Sequence, residues 1–199
     1  MADTLYAIDS GFYDSDNKDR LYDADDMGKP YASLVSDGIY GTGSESTALK
    51  VTADNSGMTV SVAPGNAILG KKWVELASAL SVEVPENSGE STRIDSVILR
   101  VNTNDSARIA NIIYRTGGDS EPAIINTGGV FEARLANVSV ASGAATIAAG
   151  AVTDKRGTAD CPWARLQADL SGIYTAGSGI DITGNVISLD LPNLDEQEF

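Results

Sequence analysis

Residues 57–76 read GMTVSVAPGNAILGKKWVEL, and their pattern decides which kind of fold to expect. Met58, Val60 and Val62 alternate with Thr59 and Ser61. That is the period of a strand, whose successive side chains point to opposite faces. Pro64-Gly65 is a turn signal, because proline fixes φ and glycine accepts a positive φ beside it. AILG and KWVEL then continue a meander, with a second turn near Gly70. Trp73 reads most simply as a core aromatic at the edge of a sheet.

The same period extends in both directions. Leu49, Val51 and Ala53 alternate with Lys50 and Thr52. Residues 93–115, RIDSVILRVNTNDSARIANIIYR, form a long hairpin in which Val97, Leu99 and Val101 lead out and Ile109, Ile112, Ile113 and Tyr114 return. Residues 116–129 are a loop too long for a tight hairpin. VFEARLANVSVASGAATI supplies another strand pair with a turn at Gly143, and TDKRGTADCPW closes the globular part as a polar, irregular segment. At least seven short strands with frequent turns predict an all-β fold, a β-sandwich or barrel-like domain. One short helix is expected from MGKPYASLVSDGIYG, starting near Pro30, with Tyr31, Leu34 and Val35 on one face and Gly38 as its stop. The expected organisation is an N-terminal arm (residues 1–18), the β domain (19–163), and a tail (164–199) holding a brief helix or linker and a hairpin.

In that tail, GSGIDITGNVISLDL permits a register check. A two-residue Gly184-Asn185 turn places Thr183 opposite Val186, Ile182 opposite Ile187 and Ile180 opposite Leu189. Ile180, Ile182, Ile187 and Leu189 then share one face, with Asp181 and Ser188 on the other. An isolated two-stranded hairpin is marginal in water, and burying four such side chains is worth roughly 6–10 kcal/mol before chain entropy. The stripe therefore needs a partner. The glycine-rich lead-in YTAGSG favours copies of the chain packing stripe to stripe over docking on the chain's own domain.

Composition narrows the function. The chain has 199 residues, enough for one substantial domain. It carries 28 acidic and 14 basic side chains, a net charge of −14. Such a field repels phosphate backbones and anionic lipid, so neither nucleic acid nor membrane insertion is expected. Histidine is absent, which removes the usual general base and metal ligand. Cys161 is the single cysteine, leaving no disulfide framework or cysteine zinc site, and it reads as structural. MADTLYAIDSGFYDSD has no basic region followed by an apolar run, and no window approaches 18 apolar residues, so neither a secretory signal nor a spanning helix is expected. Synthesis in a reducing cytoplasm follows.

Little in the chain looks like reaction chemistry. Scattered aspartates in an Asp-rich arm read as solvated surface rather than paired catalytic carboxylates. DSDNKDRLYDAD, from Asp14, departs from a calcium loop at Lys18, Asp19 and Asp25. GTGSESTALK lacks the order of a phosphate loop. No enzyme activity, metal or cofactor is expected. Trp73, Tyr40 and Trp163 are the aromatic candidates for stacking on a saccharide.

The segment GMTVSVAPGNAILGKKWVEL resembles one found in baseplate and tail-fibre proteins of long-tailed (siphovirus-type) bacteriophages. DRLYDADDM with SDGIYG, RIDSVILRVN with YRTG, FEARLANVSVASGAATI and VTDKRGTADCPW resemble the same family in the same order. The likeness spans residues 19–163. YTAGSGIDITGNVISLDL looks like the start of a phage fibre shaft, a segment commonly built by three chains. The resemblance implies a virion structural protein, a homotrimer whose N-terminal domain anchors a fibre or receptor-binding protein to other baseplate proteins. It also implies a distal head that recognises a host cell-surface saccharide. The acidic PNLDEQEF follows soon after the hairpin, so this chain is expected to be a short baseplate component or an adaptor.

Overall fold

The computed structural model describes residues 24–41, 43–167, 180–183 and 186–189. The expected arm (residues 1–18) lies outside them, as does most of the brief helix expected after Arg165. The chain divides into two compact units, Met1–Arg165 and Leu166–Phe199.

Among the described residues of the first unit, helix α1 (Ala24–Leu34) comes first and has Asp25 and Asp26 in its first turn. Acids there complement the positive end of the helix dipole. Lys29 pairs with Asp26 at 3.0 Å, one turn back. The helix begins six residues before Pro30, which sits in its interior rather than at its start. The missing proline N–H removes one backbone bond, yet the ladder resumes, with Val35 N–H donating to Tyr31 O at 2.8 Å. Met27, Tyr31 and Leu34 are exposed on this helix.

Ten strands follow among the described residues of this unit: β1 (Gly38–Ile39), β2 (Val51–Thr52), β3 (Thr59–Val62), β4 (Gly65–Leu69), β5 (Lys72–Leu76), β6 (Leu80–Glu83), β7 (Arg93–Asn102), β8 (Ile109–Gly118), β9 (Val130–Val140) and β10 (Val152–Asp154). They form three antiparallel sheets of order β1-β4-β5, β2-β3-β6 and β10-β9-β7-β8. The architecture is sandwich-like and all-β, not a closed barrel. One continuous core joins Val97, Leu99, Val101 and Leu135 of the large sheet to Val51, Val60, Val62, Leu69 and Val74 of the two small ones. Its largest fully buried side chains are aliphatic, consistent with the low aromatic content.

Two connections differ from the meander expected. Pro64-Gly65 does not turn β3 back on β4. β3 pairs with β2 and β6, whereas β4 pairs with β1 and β5, so the chain changes sheets there. It does so beneath residues 48–49: a Cβ on Gly65 would lie 2.7 Å from Leu49 N, and Leu49 N–H donates to Pro64 O. Likewise SGAATI is not a strand. Ile147 is buried and exchanges backbone hydrogen bonds with Asn55 and Gly57, and the strand that returns along β9 is β10.

β9, VFEARLANVSV, is buried on nearly every residue. One face meets the core. The other carries Glu132, Arg134 and Asn137 beneath residues 119–126, which form a strap over the sheet. Glu132 accepts from Arg100 Nε at 2.7 Å, from Arg115 Nη2 at 2.6 Å and from the Ile125 N–H at 2.7 Å. Arg115 Nη1 also donates to Ala123 O, and Asn126 Oδ1 accepts from Glu132 N–H. Further along, Ser96 donates to Asn137 Oδ1, Arg134 donates to Ser96 Oγ, and Asn137 donates to Glu121 in a short hydrogen bond. Lys155 pairs with Glu121 at 2.9 Å and Arg134 with Asp160 at 3.1 Å. Asp95, fully buried, accepts from Arg93, Tyr114 Oη and Gly117 N–H. Buried carboxylates are tolerated when their lone pairs are filled in this way.

Burial alone would raise the pKa of Glu132, but its hydrogen bonds from Arg115, Ile125 and Arg100 outweigh this and lower it. Asp154, bound by Arg156, is lowered for the same balance of reasons. A carboxyl with a lower pKa folded than unfolded binds fewer protons when folded. Its contribution is therefore full above the unfolded value and drains as pH falls through the folded one. The urea midpoint should stay level from neutrality down to about pH 5, then fall steadily below about pH 4. A midpoint independent of pH down to pH 3 would contradict the assignment.

Candidate functional site

The hairpin β4–β5 turns on Gly70 and Lys71, whose φ angles are +57° and +62°. Two successive left-handed residues make the tight turn whose twist matches paired strands, and Gly70 N–H is held by Asp37 Oδ2 at 2.8 Å. A Cβ on Gly70 would overlap the Phe131 ring. The register this fixes places Trp73 opposite Ile68. Val74, the next residue, faces the core, so Trp73 faces outward and is 66% exposed. The reading of Trp73 as a core aromatic is thereby corrected: strand alternation assigns the inward position to Val74.

Trp73 forms one wall of a cleft of about 620 Å³ between this hairpin and the β7–β8 loop. Lys72, Asp25, Asp105, Arg108 and Ile109 line it further. The loop is anchored. Ala107 and Arg108 N–H groups both donate to Asn104 O, Asn104 Nδ2 donates to Gly128 O at 2.9 Å, and Thr103 Oγ donates to Gly129 O at 3.0 Å. Arg108 has a left-handed φ of +45°, uncommon outside glycine. The charges at the rim stand in pairs: Arg108 with Asp105 at 2.7 Å, and Lys72 with Asp25 at 2.7 Å. The hydrogen bond from Lys72, with its charge, holds the Asp25 carboxyl below the ordinary aspartate range.

Tyr40 and Trp163, the other two stacking candidates, do not join this cleft. Tyr40 is partly exposed beyond β1, its N–H donating to Asn66 O. Trp163 is half-buried against the core, with the Arg156 guanidinium 5.3 Å from its ring centroid. Residues 162–165 run beside β1: Ile39 N–H donates to Pro162 O, Ala164 N–H to Ile39 O, and Ser36 N–H to Arg165 O. Trp163 thus seals the end of the sandwich. Arg156, its side chain fully buried, chelates Asp154 and donates to Ser46 O at 2.8 Å and Ala48 O at 2.6 Å.

Beneath it lies Cys161, fully buried, its thiol pushed up to about 12 by burial. The thiolate is the reactive form, so native Cys161 should resist a disulfide reagent at pH 8 and react at once in denaturant. Rapid native modification would overturn this placement. Among the described residues no group of three or more His, Cys, Asp or Glu is placed to hold a metal ion. Of the aspartate-rich stretch from Asp14, residues 14–23 lie outside them. No described helix is long and apolar enough to cross a membrane.

The second unit contains the hairpin β11 (Ile180–Thr183) and β12 (Val186–Leu189). Its pairs are Ile180 with Leu189, Asp181 with Ser188, Ile182 with Ile187 and Thr183 with Val186, the register expected from the sequence. Ile180, Ile182, Ile187 and Leu189 therefore occupy positions on one face, and Ile180 is exposed. Comparison of the chain with protein-family models, with curated proteins and with solved structures finds no match to any of them.

Proposed function

We propose that the chain is a structural protein of a long-tailed phage virion, a part of the tail baseplate or fibre that anchors the host-recognition apparatus. In this reading the sandwich unit attaches to neighbouring baseplate proteins, and the C-terminal hairpin joins two others in a homotrimer. The observation that carries it is the hairpin. Its register sets four large apolar positions on one face of a two-stranded sheet, within a unit that is compact by itself. A two-stranded sheet does not stand alone in water, and three copies would bury the stripe about a common axis. The ordered likeness of residues 19–163 to baseplate and fibre proteins supports the same reading, and the densely bonded polar face of the large sheet suits a rigid attachment module.

Immunogold labelling tests it. Antibodies raised against the sandwich unit should decorate the tail tip of phage particles whose genome encodes the chain. Particles that carry no label, and no peptides of the chain by mass spectrometry, would overturn the proposal.

A further inference from the structure

The geometry of the Trp73 cleft points to a binding site for a short, uncharged oligosaccharide, an inference that stands whether or not the chain belongs to a virion. A pyranose ring is amphipathic, with an apolar face of C–H groups and a rim of hydroxyls that both donate and accept. The cleft presents the complement of each. The indole of Trp73, 66% exposed, is a flat apolar platform held on a strand by a two-residue turn. Around it stand the Asp105 carboxylate as acceptor and the Arg108 and Lys72 groups as donors. The volume of about 620 Å³ falls within the roughly 300–1,000 Å³ of small-ligand sites and admits a disaccharide or trisaccharide.

Charge selects the class of sugar. Asp105 pairs with Arg108 and Asp25 with Lys72, so the charges of the described residues lining the cleft balance, which favours an uncharged ligand over a phosphate or carboxylate. The chain as a whole carries −14, which repels polyanions. A protein partner fits less well. Trp73 and Ile109, the large exposed apolar groups of the cleft, are set among ion pairs rather than in one continuous apolar patch.

The probe is a printed array of neutral hexose, deoxyhexose and N-acetylhexosamine oligomers, with glycerol-phosphate polymers as the anionic comparison, applied to the full chain. Neutral glycans should be retained and the phosphate polymers not. The best of them, titrated by intrinsic fluorescence, should shift the emission of exposed Trp73 to the blue. Trp73→Ala should weaken binding by about tenfold or more, Trp73→Phe should retain most of it, and Asp105→Ala should weaken it severalfold. Asp105 is 95% exposed, so its variant tests the site even if Trp73→Ala misfolds. Retention of anionic glycans only, retention of no glycan, or equal binding by folded Trp73→Ala and Asp105→Ala would overturn the inference.

Discussion

Glu132→Ala lowers the stability of the sandwich unit by about 3–5 kcal/mol, the expected result of breaking a buried charge network from its centre. The Glu132 side chain is fully buried and pairs with both Arg100 and Arg115. Its removal strands two guanidiniums on a covered sheet face and unhooks the strap, since Ile125 N–H loses its acceptor. Glu132→Gln keeps the volume and some of the hydrogen bonds, so about half that loss is expected. Replacing all three partners together, with Arg100→Met, Arg115→Met and Glu132→Met, should recover much of the stability, because well-packed apolar groups can substitute for a buried ion network. Urea unfolding at pH 7 measures all three. A loss under 1 kcal/mol for Glu132→Ala would show that the strap does not depend on this carboxylate.

Arg156→Ala is the second large effect, also about 3–5 kcal/mol. Arg156 serves four partners at once: the Asp154 carboxylate, the carbonyls of Ser46 and Ala48, and the Trp163 ring. It ties residues 46–48 to residues 154–163 across more than 100 positions of sequence. Arg156→Met retains the apolar stem but none of the donors, so it should still lose most of the stability. A second signature separates this tie from ordinary packing: the variant should expose Trp163, shifting its emission to the red, and should speed reaction of Cys161 in the native state. Unfolding at the parental urea midpoint, with Cys161 still protected, would contradict the assignment.

How far the fold could be read from residues depended on whether a local rule had a competitor. The register of the C-terminal hairpin was legible because Gly184-Asn185 allows one tight turn and the apolar residues agree with it. The long hairpin of β7 and β8 was legible because two apolar runs flank the turn-forming stretch NTNDS. Pro30 misled because its best-known helical place is the first turn, while Asp25, Asp26 and the Lys29 pair sustain an earlier start. Pro64-Gly65 has the chemistry of a turn, but a turn does not say whether the next strand stays in the same sheet. The network around Glu132 was hidden because Arg100, Arg115 and Glu132 lie far apart in sequence and become cross-strand neighbours only once the register of β7 with β8 and β9 is known. At the cleft, the size of Trp73 suggested a core residue, and the inward position went to Val74 instead; Asp105 and Arg108 join Trp73 only through the folding of the β7–β8 loop. Trp163 offered no local sign that Arg156 would cover it.

The central claim is that the C-terminal hairpin assembles three chains, and the mass of the particle in solution tests it most directly. Light scattering on a sizing column should compare the full chain with a version ending at Arg165, the boundary of the first compact unit. The account predicts about three times 20.7 kDa for the full chain and a single copy for the shortened one. A full chain that elutes at the mass of one copy would contradict it.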